Sequence, residues 1–156
     1  MERENNIQQA EEVVVRLLAR REHSARELHQ KLKQRGFDHR TIDLVLKKAQ
    51  EHGWQSDERF AHVWVRTCIA RGDGLRKISA QAPQKGIPAE LVELVLKHEQ
   101  PDWHEACYQR LIRKFGEMPA VDRKQRDKIM RHLLQRGFSF EVINHALERQ
   151  AKAFAD

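Results

Sequence analysis

One stretch occurs three times in this chain, and that repetition constrains the fold more than any other feature. "KLKQRGFDHRTIDLVLKKA" begins at residue 31, "QAPQKGIPAELVELVLKHE" at 81 and "HLLQRGFSFEVINHALERQ" at 132. Aligned on Gly36, Gly86 and Gly137, the copies are 50 and 51 residues apart. Each glycine follows a glutamine and a cation (Gln34-Arg35, Gln84-Lys85, Gln135-Arg136) and precedes an apolar residue (Phe37, Ile87, Phe138). Eight residues upstream stand Leu28, Ile78 and Ile129; six downstream stand Ile42, Val92 and Ile143; ten downstream stand Leu46, Leu96 and Leu147. Those offsets place apolar groups on one helical face on each side of the glycine.

The glycine has a structural task before any functional one. A helix often ends with one residue in the left-handed region, which costs glycine least, and the next apolar residue then packs back onto the helix. The preceding cation sits well at the negative helix end. The repeated stretch is therefore a helix, a stop and a second helix. Start signals agree: Ser24 with Glu27, Asp102 with Glu105 and Asp122 with Gln125 have capping-box spacing or a close variant of it. Pro88 suits the first turn of a helix, "SDE" at 56–58 is a helix start, and Ser139 or Phe138 can begin the last helix.

These signals predict helices over 7–20, 25–35, 39–52, 57–71, 75–85, 88–99, 103–115, 123–136 and 140–154, with no strand-like alternation. The fold class is all-α: three tandem three-helix, helix-turn-helix-like repeats, 1–52, 53–100 and 101–156. A 50-residue period matches neither the 34-residue tetratricopeptide unit nor the usual 40–47 of helical solenoids. Each unit is too small to bury its apolar face alone, so the repeats are expected to stack into an elongated, curved body. Pro83 breaks the pattern, because proline near a helix end removes a backbone donor and clashes one turn back. With Ala82 in place of the leucine of the other copies, the fifth helix should be kinked or shortened and its cap contact weaker.

Composition narrows function. At 156 residues, with 40% apolar and 33% charged groups, the chain suits a thin core and a large solvated surface rather than a deep catalytic pocket. Cys68 and Cys107 fit no metal spacing and read as reduced, buried thiols. The N-terminus has no signal-peptide core, and no apolar run approaches the ~18–20 residues of a membrane span, which predicts a cytoplasmic protein without membrane contact. Among the nine histidines no H-E-x-x-H, C-x-x-C or paired-carboxylate arrangement occurs. His23 and His29 lie off a common face, and His98, Asp102 and His104 straddle the Pro101 turn. "RGDG" at 71–74 lacks the rest of a phosphate-binding loop. No catalytic residue, metal or cofactor is expected.

Charge placement says more than the net +6. Residues 110–136 carry nine cations against Glu117, Asp122 and Asp127, an excess equal to that of the whole chain. Such a face favours a polyanionic partner, nucleic acid or a complex that contains it; the alternative is a merely solvated surface. Lys124, Lys128 and Arg131 fall at i, i+4 and i+7, nearly opposite Ile129 and Leu133. Arg110, Arg113 and Lys114 extend the patch, Arg136 closes its segment, and Arg71, Arg76 and Lys77 flank Gly72–Gly74. The tryptophans Trp54, Trp64 and Trp103 stand at helix junctions or within a helix, where packing is the ordinary reading and stacking on bases the rival.

The three repeats, "EHGWQSDERFAHVWVRTCIARGDGLRKISAQAPQKGI" across the middle, "DWHEACYQRLIRKFGE" opening the third and the closing "AFAD" together resemble the RecX family. "HGWQSDERFA" at 52–61 and the run from Gly74 to "QKGI" are the most specific parts, and the resemblance spans essentially the whole chain. It implies a non-enzymatic, monomeric regulator that lies in the groove of the RecA–DNA filament. There it would suppress ATP hydrolysis, strand exchange and coprotease activity, and touch single- or double-stranded DNA without sequence preference. Ala82 and Pro83 depart from the family pattern.

Two rival readings stay open. The first is a DNA-binding protein that acts without RecA. Its third helices begin "HRTIDLV", "PAELVEL" and "FEVINHA", a poor set for reading bases, which leaves non-specific contact. The second is a pure protein scaffold, distinguished by how binding depends on salt and on nucleic acid.

Overall fold

The computed structural model describes residues 2–156. These form nine α-helices and no strand: α1 Glu2–Arg20, α2 Ala25–Gln34, α3 His39–Glu51, α4 Asp57–Arg71, α5 Leu75–Gln81, α6 Ala89–Glu99, α7 Trp103–Phe115, α8 Arg123–Gln135 and α9 Phe140–Ala155. None is long and apolar enough to cross a membrane.

The caps are those the residue types call for. Ser24 Oγ accepts from the Glu27 amide at 3.1 Å, Asp102 Oδ1 from Glu105 at 3.0 Å and Asp122 Oδ1 from Gln125 at 2.8 Å. Asp38 and Ser139 act likewise on Thr41 and Val142, at 2.7 and 3.3 Å. Ser56 Oγ receives the Arg59 amide at 3.2 Å, which makes 56–58 a helix start.

The three corners share one geometry. Gly36, Gly86 and Gly137 have φ of 91°, 80° and 96°, and the residue after each returns a hydrogen bond five residues back: Phe37 to Leu32, Ile87 to Ala82 and Phe138 to Leu133. That 6→1 closure satisfies carbonyls that a helix end would otherwise leave open. The shared apolar offsets face inward: Leu28, Ile78, Ile129, Ile42, Val92 and Ile143 are all buried.

Two boundaries differ from expectation. The first helix starts at Glu2 rather than at residue 7, because its exposed opening turns need no apolar face and Glu2 and Glu4 complement the positive helix end. The fifth α-helix stops at Gln81 and Ala82–Lys85 continue as a 3-10 turn. Proline 83 forbids the α-helical bond there, so the shortening expected from it is present. The cap closure survives, with the Ile87 amide 3.0 Å from the Ala82 carbonyl, although Ala82 offers Ile87 a smaller apolar partner.

The chain divides into two compact units. The first runs to Trp64 and adds Ala82–Val95; the second comprises Val65–Gln81 and Leu96–Asp156. The core of the first gathers Ala10, Val14, Leu17, Leu28, Leu32, Ile42, Val45, Leu46 and Ala49, with Phe37 and Trp54 packed against it. The second has a core of Cys107, Leu111, Ile129, Leu133, Phe138, Ile143 and Ala146, covered by Trp103, Phe115 and other half-buried groups. Trp54 and Trp103 thus serve packing.

Candidate cationic interface of the third repeat

Helix α8 sets the site. Its Asp122 cap and the return contact from the Val121 amide to Gln125 Oε1 (3.1 Å) fix where the helix begins, and therefore which residues face outward. Ile129 and Leu133 are buried, while Arg123, Lys124, Arg126, Lys128 and Arg131 are exposed. Lys124, Lys128 and Arg131 share one outward stripe and form no ion pair among the described residues. Arg113 and Lys114 are also exposed, in the last turn of α7, where cations complement the negative helix end.

Arg110 turns the other way. It is half-buried, and its Nε–H donates to His132 Nε2 at 3.1 Å. Burial pushes the His132 imidazole below its ordinary value, and the charges of Arg110, Lys114 and Arg136 push it further. The ring is therefore neutral near pH 7 and offers Nε2 as an acceptor. Burial also lowers the Arg110 guanidinium, helped by Arg136 and Arg113.

The cations around Gly72–Gly74 converge on one buried carboxylate. Asp73 is wholly buried; Arg71 Nη2 lies 2.8 Å and Nε 3.1 Å from its Oδ2. Arg136 Nη2 approaches Oδ1 to 2.8 Å and Lys77 Nζ to 3.2 Å, close charge contacts that meet the oxygen off the hydrogen-bond axis. Burial pushes the Asp73 carboxyl up, but the Arg71 hydrogen bonds and the close charges of Lys77 and Arg136 outweigh it, leaving the group below its ordinary value. Arg136 also donates to the carbonyls of Gly72 (3.3 Å) and Arg71 (2.9 Å).

Backbone closes the same junction. The amides of Gly74 and Arg76 donate to the carbonyls of Arg136 and Gly137, at 2.6 and 3.1 Å. The end of α8 thus presents carbonyls to the amides at the start of α5, a favourable meeting of opposite helix ends.

The ten cations singled out in the sequence fall into two sets. Arg76, Arg113, Lys114, Lys124, Lys128 and Arg131 are solvent-exposed. Arg71, Lys77 and Arg136 are engaged with Asp73, and Arg110 with His132. The sequence reading missed Asp73 as the organiser. Its signal was an acid between two glycines, within four residues of three cations, in a stretch weighed only as a phosphate loop.

Comparison with known proteins gives the family. Three family models, described as the first, second and third three-helix domains of RecX, match residues 10–48, 56–96 and 102–147. This chain belongs to the RecX family. It is 39% identical over 133 residues to the "Regulatory protein RecX" of Chromohalobacter salexigens, covering 85% of this chain and 87% of that one. The protein of the same name from Vibrio parahaemolyticus is 34% identical over 138 residues, covering 88% and 89%. The crystal structure of RecX from Lactobacillus salivarius has the same fold, with a TM-score of 0.75 at 19% identity, over 94% of this chain and 97% of that one. A regulatory role of the RecX kind follows, carried by a chain of helical RecX domains.

Proposed function

We propose that this chain is a negative regulator of the RecA recombinase. It binds the groove of the RecA filament on single-stranded DNA and suppresses ATP hydrolysis, strand exchange and coprotease activity, acting as a monomer in the cytoplasm. Membership of the RecX family supports the partner. The observation that carries the mode of contact is the outward stripe of Lys124, Lys128 and Arg131, unpaired among the described residues, with Arg113 and Lys114 exposed on α7. Unpaired cations gain most from a polyphosphate, because binding releases the counterions condensed on it. Cations already committed to a buried carboxylate gain less, so Arg71, Lys77 and Arg136 hold the surface in place and Arg76 contributes from outside it.

The test is RecA's single-strand-dependent ATP hydrolysis with this protein titrated in at two salt concentrations, alongside its binding to bare DNA. Inhibition below one protein per RecA is expected, weakened by reversing the three stripe cations. Three phosphate contacts would give a log–log salt slope of about −2, and the triple reversal would remove most of it. No effect on RecA combined with tight, salt-dependent binding to bare DNA would replace this reading with that of a DNA-binding protein acting alone.

A further inference from the structure

A group of side chains in the first repeat, remote in sequence from the cationic stripe, has the chemistry of a metal site. His29 lies on α2, and His39 and Asp43 lie one turn apart on α3. His29 Nε2 is 3.3 Å from His39 Nδ1, with ring centroids 5.4 Å apart, and His39 Nε2 is 3.3 Å from Asp43 Oδ2. One donor atom from each residue falls within 4.8 Å of the other two. We propose that His29, His39 and Asp43 bind a divalent cation of the zinc type.

Tetrahedral zinc holds imidazole nitrogen at about 2.0–2.1 Å, which puts neighbouring donors roughly 3.3 Å apart, and it commonly takes three protein ligands with water in the fourth position. Two imidazoles and one carboxylate form the donor set suited to such an ion rather than to calcium or magnesium, which prefer oxygen alone. His39 directs one ring nitrogen at each neighbour. Its side chain is 78% exposed, so the ring turns freely to offer a single nitrogen at the centre. Asp43 is exposed as well, and its i+4 spacing from His39 keeps both donors on one helical face.

The repeat itself provides a comparison. Relative to the corner glycine these residues stand at −7, +3 and +7. The other two corners place Ser79, Ala89 and Glu93, and Met130, Phe140 and Asn144, at those offsets. The corner geometry therefore folds without the triad, and three ligating side chains have collected in one copy at positions the fold leaves free. A bound ion would tie α2 to α3 across the Gly36 corner.

The experiment is calorimetric titration of zinc chloride into the full chain in a non-chelating buffer at about pH 7.5, since metal affinity of such ligands depends on pH. One tight equivalent is expected for the natural sequence. His39→Ala and His29→Ala should weaken that site at least about tenfold, Asp43→Asn by several-fold, and the control His104→Ala not at all. Zinc should also raise the thermal midpoint of the natural chain but not that of His39→Ala. His39 is exposed, so that variant keeps its fold, which circular dichroism checks. Absence of a tight equivalent, or equal weakening by His39→Ala and His104→Ala, would overturn the proposal.

Discussion

The amide of Gly74 donates a 2.6 Å hydrogen bond to the carbonyl of Arg136, sixty-two residues away in the chain. A side chain at Gly74 would place its Cβ 2.6 Å from the carbonyl carbon and oxygen of Gly137 and 2.7 Å from the Phe138 amide. From the other side, a Cβ on Gly137 would meet the Lys77 backbone nitrogen at 2.5 Å. Two glycines thus bring two helix ends into direct backbone contact, and the ion pairs around Asp73 close over that contact.

Gly74→Ala is therefore expected to destabilise by about 2–3 kcal/mol, the cost of forcing backbone apart in a packed junction. Gly53→Ala is the control. Unlike Gly74 it has a positive φ, 72°, but a Cβ there meets nothing within 4 Å, so only the backbone strain of about 1 kcal/mol applies. Urea midpoints of the two variants should rank in that order, and equal midpoints would refute the close-contact argument.

Asp73→Asn removes the charge on which Arg71, Lys77 and Arg136 converge. Stranding one partner of a fully buried pair costs about 3–5 kcal/mol; here Arg71 is half in solvent, so about 2–3 kcal/mol is expected. The pH dependence follows from the lowered carboxyl of the folded state. The unfolded state binds the proton more readily, so the contribution is complete above the unfolded value near ~3.9 and is lost as pH falls through the folded one. The gap between natural chain and variant should close in acid and stay constant from about pH 5 to 8.

Much of this was legible in the residues. The corners, their apolar offsets and their caps are local, so spacing alone located α2, α3 and α6 to α9 to within a residue or so. Proline 83 carried its own consequence as well. The start of α1 was not legible, because a solvated helix turn has no apolar period to read. Nor was the Asp73 junction, which joins a loop after α4 to the end of α8: sequence shows the cations, and only the fold shows which of them already have a partner. The His29, His39 and Asp43 grouping was hidden for the same reason, since ten residues and a corner separate the two histidines.

The cysteines give a further check. Cys68 and Cys107 are both fully buried, and burial pushes the Cys107 thiol up to about 12. Relative to an ordinary thiol, that lowers its reactive thiolate by about a thousandfold at neutral pH. A disulfide reagent should find no rapidly reacting thiol in the native protein and two in strong denaturant. Fast labelling of Cys107 in the native state would show that the core of the second unit opens far more readily than its packing allows.

The stripe on α8 should behave in the opposite way to the Asp73 junction. Lys124, Lys128 and Arg131 are exposed and form no ion pair among the described residues, so their reversal to glutamate is expected to leave the fold in place. Near the helix start, Lys124→Glu even places a negative charge against the positive helix end, a mildly favourable change. The urea midpoint of the triple variant should equal or slightly exceed that of the natural chain, while its inhibition of RecA weakens and loses most of its salt dependence. Asp73→Asn should instead lower the midpoint and, under conditions where it stays folded, retain the salt-dependent part of binding. A triple reversal that unfolded the chain would mean that these cations serve the fold; one that left both stability and inhibition intact would move the contact surface elsewhere.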